Sequence, residues 1–161
     1  MRKRCPRMEA TIEFEDTTPD QVFEIMGDPD RITDWYLLAE RVRMHPAGPD
    51  GSQTFDVVFT FFGEVFEEVL EWNPPRSYSY QARGPKFPIS DYQAEIAVKA
   101  SGSREGVLHW RMYFDHIEGE NFRRILPVML PPVMEESIVR LSKLIGGVRH
   151  SFKHDFTGLD E

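Results

Sequence analysis

Cysteine is almost absent from this 161-residue sequence, which contains Cys5 alone. A single cysteine excludes an intrachain disulfide framework and any metal site built on several cysteines, and it favours a cytoplasmic location. Long apolar runs are missing too: none approaches the roughly 18 residues that a membrane span needs, so we expect no stable membrane insertion. No apolar segment follows the basic residues 1–7, as it would in a signal peptide, and we expect these residues to form a solvated leader.

Positive charge is also in deficit, with 19 Lys and Arg against 27 Asp and Glu and a formal net charge of −8. Such a surface repels a phosphate backbone, so we expect no nucleic-acid partner. The sequence has neither a Gly-x-Ser-x-Gly elbow nor a glycine-rich phosphate loop. His150 and His154 are four residues apart in a polar segment, without a carboxylate or cysteine at useful spacing. We therefore expect no metal and no cofactor.

The residues that are present predict one globular domain, since 40% are hydrophobic and 12% aromatic. A chain of this length buries a substantial core. Alternating side chains predict a strand over residues 8–15. Thr18, Pro19 and Gln21 then form the pattern of a capping box with proline at the first helical position. They predict a short helix ending at Gly27, followed by a second short helix that carries Trp35 and Tyr36.

Further strands are predicted after residue 40 because turn signals separate runs of alternating side chains. We expect these strands at residues 40–46, 53–62, 64–72, 77–83, 89–100 and 106–116. The loops between them are short, which favours antiparallel pairing. One face of residues 53–62 carries Phe55, Val57, Phe59 and Phe61. One face of residues 106–116 carries Leu108, Trp110, Met112 and Phe114.

The last predicted element is a long helix, since Met134, Ile138, Leu141 and Ile145 form one apolar stripe. We expect it to begin near Pro131 and Pro132 and to end at Gly146 and Gly147. Prolines should bend a shorter helical entry over residues 120–130. Residues 148–161 form a polar tail to which we assign no structure. The prediction is an α+β fold in which a domain over residues 8–147 wraps an antiparallel sheet of six to seven strands around the C-terminal helix.

Three segments resemble the START/Bet v 1-like (SRPBCC) superfamily, in its polyketide cyclase/dehydrase and lipid-transport branch. They are TPDQVFEIMGDPDRITDW at residues 18–35, EEVLEWNPPRSYSY at residues 67–80 and GVLHWRMYF at residues 106–114. The resemblance extends over residues 8–146. It implies a helix-grip fold, with an elongated cavity between the curved sheet and the helix that is entered near the two short helices.

The resemblance also implies that a monomer or homodimer binds a hydrophobic or aromatic small molecule, such as a lipid, isoprenoid or polyketide. An empty apolar cavity is costly, and an apolar ligand recovers part of that cost. Trp35 and Tyr36 would lie near the entrance. The expected walls are Phe55, Val57, Phe59, Phe61, Val69, Tyr92, Trp110, Met112 and Phe114 from the sheet, and Met129, Val133 and Met134 from the helix.

The strand over residues 64–72 leaves two interpretations open. In the allergen-like hairpin Glu67 points into the cavity, where burial would raise its pKa; alternatively, all glutamates of this strand lie on a solvated face. An inward Glu67, with Tyr78 or Tyr80, would suit a polyketide aromatase/cyclase or dehydratase. Arg111 lies on the face opposite the aromatic wall, unlike the arginine that such enzymes tend to carry inside. A third hypothesis is a cochaperone-like protein-interaction module.

Overall fold

The structure, a computed structural model, describes residues 4–49 and 51–159. It shows an α+β fold in which one antiparallel sheet of eight strands surrounds a long helix, and this confirms the helix-grip prediction. Along the sheet the strands follow the order β2-β3-β4-β5-β6-β7-β1-β8. The elements are β1 (Met8–Glu15), α1 (Pro19–Gly27), a 3-10 turn (Pro29–Arg31), α2 (Ile32–Trp35), β2 (Ala39–Met44), β3 (Thr54–Phe59), β4 (Gly63–Asn73), β5 (Ser77–Arg83), β6 (Tyr92–Gly102), β7 (Glu105–Tyr113), α3 (Glu120–Ile145) and β8 (Gly147–His154).

Helix α1 begins at the predicted capping box. The backbone N–H of Gln21 donates to Thr18 Oγ1 at 3.2 Å, and the backbone N–H of Thr18 donates to Gln21 Oε1 at 3.2 Å. Pro19 occupies the first turn, where its missing N–H costs nothing. The helix buries Val22 and Phe23 against the sheet, and the two short helical segments that follow bring Trp35 and Tyr36 toward α3.

Helix α3 is longer than predicted, because it runs unbroken from Glu120 to Ile145 and contains three prolines. Residues 120–130 are helical as predicted, but the expected start of the long helix near Pro131 and Pro132 is wrong. Each internal proline removes one backbone hydrogen bond. Burial of Leu126, Pro131 and Met134 in the core offsets that loss, since packing rather than intrinsic propensity supplies most helix stability. No helix in residues 4–49 and 51–159 is long and apolar enough to span a membrane.

The helix ends where glycine was predicted to stop it. Gly146 adopts a left-handed conformation with φ of 74° and donates its N–H to the carbonyl of Ser142. A Cβ at this position would lie 2.4 Å from Thr17 Oγ1 and 2.7 Å from the Glu15 carbonyl oxygen. Glycine is therefore required both by the backbone conformation and by the close approach of the chain after β1.

The expectation that residues 148–161 lack structure is also wrong, and it explains why the sheet has eight strands rather than six or seven. Strand β8 pairs with the outer edge of β1 along most of its length. Most of its side chains are exposed, so its sequence shows no apolar alternation. Its backbone forms hydrogen bonds with the edge of β1 that would otherwise be unpaired. Phe152 within β8 and Phe156 beyond it pack against the hydrophobic core.

Part of the expected solvated leader is anchored to the sheet. Residues 1–3 lie outside the described residues, but Arg7 donates its backbone N–H to the Met112 carbonyl at 2.8 Å. Its guanidinium Nε donates to the Phe114 carbonyl at 2.9 Å, and Nη2 forms an ion pair with Asp115 at 2.9 Å. Residue 7 therefore extends the pairing of β1 with β7.

Candidate functional site

Two adjacent cavities lie on the inner face of the sheet, the first against α3 and the second against the end of α1 and the two short helical segments that follow it. The first lobe has a volume of about 60 Å³ and the second lobe a volume of about 40 Å³. Both are bordered by Tyr36, Glu67 and Tyr80, which we call the waist. The first lobe is also lined by Met8, Leu37, Leu38, Phe59, Phe62, Val65, Ala82, Phe87, Ile89, Tyr92, Met129, Leu130, Val133 and Met134. The second lobe is also lined by Met26, Gly27, Pro29, Ile32, Trp35, Gln53, Phe55, Val69, Trp72 and Tyr78.

Glu67 faces this cavity because of its register in the sheet. It pairs with Phe55 of β3 and with Ala82 of β5, both of which are buried. The alternation of β4 turns Val65, Glu67 and Val69 toward the lobes, and this settles which face of residues 64–69 points inward. The part of Glu67 that stays accessible borders the lobes, so its carboxyl is removed from bulk water.

Burial raises the pKa of Glu67 to about 8, because a charged carboxylate loses its hydration in this apolar setting. Within the part of the chain that the structure describes, no cation or hydrogen-bond donor offsets this effect. The pKa values of Tyr36 and Tyr78 are also raised, first by burial and then by the negative charge of Glu67. The tyrosines therefore stay neutral through the pH range in which Glu67 titrates.

Two of the tyrosine hydroxyls beside Glu67 have oxygen partners. Tyr78 donates to the Met26 carbonyl at 2.8 Å, which ties β5 to the end of α1. Tyr80 forms a side-chain hydrogen bond with Tyr92 that lowers the pKa of Tyr92, although burial raises that pKa by more. Tyr36 differs, because its hydroxyl contacts the sulfur of Met134 at 3.5 Å and thioether sulfur is a weak acceptor.

A β-bulge divides β4 into two parts with opposite phases. The register shifts between Val69 and Glu71, so Glu71 borders a groove on the outer face of the sheet instead of continuing the inward phase. The next residue, Trp72, turns inward and lies 5.0 Å from Phe23 and 5.4 Å from Tyr78, measured between ring centroids. An extra residue in one strand reverses the side-chain phase beyond it.

The structure brings most of the predicted wall residues to the lobes, but not all of them. Tyr36, Phe59, Tyr92, Met129, Val133 and Met134 border the first lobe, and Trp35, Tyr36, Phe55, Val69 and Tyr78 border the second. Val57, Trp110, Met112 and Phe114 are buried but border neither lobe; they belong to the packed core beside them. Arg111 lies on the outer face, paired with Glu9 at 3.1 Å.

Phe61 corrects the predicted wall. Strand β3 ends at Phe59, and Phe61 lies in the following turn with φ of 78° and 73% of its surface exposed. Phe62 is buried in its place and borders the first lobe. Strict alternation cannot continue through a turn, so the apolar residue after it takes the inward position.

Sequence reasoning also missed wall residues that come from loops. Phe87 and Ile89 border the first lobe from the connection between β5 and β6, and Leu37 and Leu38 do so from the connection between α2 and β2. A loop shows no periodicity, so the pattern carried no signal for these four residues. Met8 lies on the inward face of β1, and its position in the alternation could have indicated it.

Residues 4–49 and 51–159 contain no group of three or more His, Cys, Asp or Glu side chains that could hold a metal ion.

The family comparison agrees with this geometry. Residues 6–146 match the model of the family described as polyketide cyclase/dehydrase and lipid transport. The chain belongs to this family. No curated protein sequence matches the chain.

Several solved structures are similar in fold to this member of the polyketide cyclase/dehydrase and lipid transport family. A conserved protein from Geobacillus kaustophilus is 16% identical, with a TM-score of 0.68 over 91% of this chain and 99% of that one. The ZhuI aromatase/cyclase from Streptomyces sp. R1128 is 14% identical, with a TM-score of 0.66 over 88% of this chain and 94% of that one. Norcoclaurine synthase from Thalictrum flavum, in complex with dopamine and hydroxybenzaldehyde, is 16% identical, with a TM-score of 0.60 over 88% and 87%. At these identities the likeness establishes the fold.

Proposed function

We propose that this protein binds an apolar or aromatic small molecule in the two-lobed cavity. The observation that carries the proposal is the lining: two adjoining lobes bordered mainly by Phe, Tyr, Met, Leu and Val side chains, with one carboxyl at the waist. Ligand sites are typically apolar hollows with a few convergent polar groups. The family description and the ligands named for norcoclaurine synthase support this choice.

The size of the lobes restricts how a ligand enters. An engineered cavity of about 150 Å³ accommodates benzene, whereas the two lobes measure about 60 and 40 Å³. A larger ligand therefore requires the walls to move apart. Leu38 borders the first lobe with φ of 72°, an unfavourable conformation for leucine, and Met129 contributes a flexible side chain to the same lining. We propose that these two residues move when a ligand enters.

The experiment is native mass spectrometry of the purified protein, followed by denaturing extraction of any molecule that travels with it. A matched pair of α3 variants then locates the site. Val133→Trp fills the first lobe and should displace a co-purified or added apolar ligand. Val128→Trp adds the same ring at a position that is 75% exposed and should leave binding unchanged. Equal binding by both variants, each folded by circular dichroism, would place the ligand elsewhere.

A second candidate, proton-transfer catalysis on a polyketide-like chain, is favoured by the position and raised pKa of Glu67. In its ionised form Glu67 would remove a proton from a methylene group between two carbonyls. The resulting enolate carbon would attack another carbonyl of the same chain, and the proton would return from Glu67 to the new alkoxide. Tyr80 lies at the waist and would have to give up its hydrogen bond with Tyr92 to donate to the attacked carbonyl, whereas the Tyr78 hydroxyl is committed to Met26.

This reaction would be tested with Glu67→Gln. We expect it to lose turnover and retain substrate affinity, because a group that acts mainly in the transition state affects rate more than binding. Unchanged turnover would leave binding as the function of the cavity. The protein-interaction module stays a prediction.

A further inference from the structure

Three polar groups near the waist lack adequate protein partners. The indole Nε1 of Trp35 is buried and, among the residues described, has no hydrogen-bond partner. The Tyr36 hydroxyl contacts only the Met134 sulfur. Burial raises the pKa of the Glu67 carboxyl, and among the described residues no hydrogen-bond donor compensates for this burial. Buried polar groups are nearly always satisfied, so such a concentration beside a cavity needs an explanation.

These groups lie together. Tyr36 and Glu67 each border both lobes, and Trp35 borders the second lobe. The ring of Trp35 stacks on that of Tyr36, with centroids 5.1 Å apart and planes 20° apart. By contrast, the Tyr78 hydroxyl donates to the Met26 carbonyl, and the hydroxyls of Tyr80 and Tyr92 interact with each other. These groups thus meet where the two apolar lobes adjoin. The other buried side-chain nitrogens without a partner among the described residues, Trp110 Nε1 and His109 Nδ1, border neither lobe.

Their chemistry specifies the missing partner. An indole N–H can only donate, a phenol readily donates, and a protonated carboxyl adds a third O–H donor. We propose that Trp35, Tyr36 and protonated Glu67 bind an uncharged oxygen acceptor, a carbonyl oxygen carried between two apolar parts of the ligand, and that ionisation of Glu67 weakens this binding. The inference rests on the proposed function, since it requires a ligand in the same cavity.

The pH dependence has a definite sign. The titratable groups that act on Glu67 or feel its charge are Tyr36 beside α2, Tyr78 and Tyr80 on β5, and Tyr92 on β6. Their pKa values are all raised, so they remain neutral donors at alkaline pH. Glu67 alone among them changes charge near pH 8, from a donor to an acceptor that repels a carbonyl oxygen. Binding of a carbonyl ligand is then strongest below pH 8 and weakens above it.

The test compares indane with 1-indanone, which have nearly the same shape and differ by one carbonyl oxygen. Affinities for the whole protein are measured by calorimetry at pH 6 and pH 9.5. At pH 6 we expect 1-indanone to bind about tenfold more tightly, the usual scale of one net hydrogen bond to a buried group. At pH 9.5 the advantage should fall to about threefold or less, while the affinity for indane stays the same.

Variants of Glu67 distinguish the effect of its hydrogen-bond donor from the effect of its negative charge. Glu67→Gln keeps an N–H donor without a titrating proton, so the ketone advantage should persist at both pH values. Glu67→Met removes one donor and leaves Trp35 and Tyr36, so the ketone advantage should be smaller than in the wild type at pH 6 and should not change with pH. Glu71→Gln, at an exposed position on the same strand, is the matched control and should behave as the wild type.

Three results would overturn the inference. One is equal affinity for indane and 1-indanone at pH 6. Another is a pH-dependent advantage that survives in Glu67→Gln. The third is tighter binding of 1-aminoindane than of 1-indanone at pH 6, which would show a site for a cation. If indane and 1-indanone both bind but do not differ, the proposed function stands and the inference fails; if neither binds, both fail.

Discussion

The two halves of α3 face very different surroundings. Its second half buries Ile138, Leu141 and Ile145 completely against the β1 side of the sheet. Its first half leaves Met129 and Val133 only partly buried, because they border the first lobe. One continuous helix on one continuous sheet therefore makes a closed end and a hollow end. Branched aliphatic residues close-pack at the first, whereas aromatic rings and methionines leave space between them at the second.

The largest effect should come from cavity formation at the closed end. Leu141→Ala should reduce the free energy of unfolding by about 2–5 kcal/mol, since it removes fully buried contacts in a core that cannot collapse. Val133→Ala at the hollow end should cost less than about 1 kcal/mol, because that side chain already borders a void. Urea denaturation measures both. Similar losses at the two positions would mean that the hollow end is filled and rigid.

The next largest effect is the pH dependence of stability, which arises from Glu67 at the hollow end. The pKa of Glu67 is about 8 in the folded protein against 4.5 as the unperturbed value, so the folded state holds more protons between these limits. Stability should therefore fall as pH rises from 4.5 to 8 and then level off. Glu67→Gln removes this cost and should stabilise the protein by about 2–4 kcal/mol at pH 9 and by little at pH 4.5, allowing for partial screening.

Thermal unfolding of Glu67→Gln across pH 4.5–9 gives this difference directly. Glu71→Gln, exposed on the same strand, provides the baseline for removing one acidic charge. A constant difference between Glu67→Gln and the wild type across the range would show that the carboxyl at the waist is hydrated.

A smaller effect concerns how the edge of the hollow end is held. Asp56 is buried on the outer face of β3, where Arg43 Nη2 donates to its Oδ2 at 2.6 Å and His45 Nε2 lies 3.1 Å away. Burial alone would raise its pKa, but the hydrogen bonds from Arg43 and His45 lower it overall. Its contribution is present above the unfolded pKa and is lost as pH falls through the folded one. Asp56→Asn should cost about 1 kcal/mol at pH 7 and less at pH 3, which lies below the unfolded pKa of 3.8.

Urea denaturation at the two pH values checks this prediction. Asp34→Asn is the control, because Asp34 forms an exposed ion pair with Arg31 at 2.8 Å. Exposed pairs of this kind contribute little. An equal loss for both variants would show that the β2 edge is not held by Asp56.

The smallest effect is expected at Phe61. Its ring is 73% exposed in the turn after β3, so Phe61→Ser should change the free energy of unfolding by less than about 0.5 kcal/mol. Phe62→Ser, one residue further and buried beside the first lobe, should cost several times more. Denaturation of the two variants side by side would reveal any error in assigning which phenylalanine belongs to the hollow end.

The features that were predictable from the sequence are those written in local patterns. The bounds of β1, the capping box of α1 and the glycine end of α3 all depend on neighbouring residues. The helix-grip fold followed from their order and from the resemblance. The length of α3 could not be predicted, because its prolines indicate a break in the helix that tertiary packing overrides. Nor did β8, whose place in the sheet rests on backbone pairing rather than on apolar side chains.

The candidate site was predictable only in part. The alternation of β4 offered two phases, and its bulge uses both, so Glu67 and Trp72 face inward from the two sides of Leu70. No periodicity could place the bulge. The donors Trp35 and Tyr36 were indicated at the entrance, but their lack of partners depends on distances across the fold, which the sequence does not contain.

The position of β1 between β7 and β8 has a consequence for how the protein is made. Strand β1 finds both of its neighbours only when residues 105–113 and 147–154 have also been synthesised. Until then both edges of β1 are open, while the hairpins from β3 to β6 can pair as they emerge. Pairings so distant in sequence are slow to form. The sheet from β3 to β6 can therefore pair during translation, whereas the first lobe must await α3 and the closed end must await β8 as well. Folding then depends on an unpaired β1 escaping aggregation.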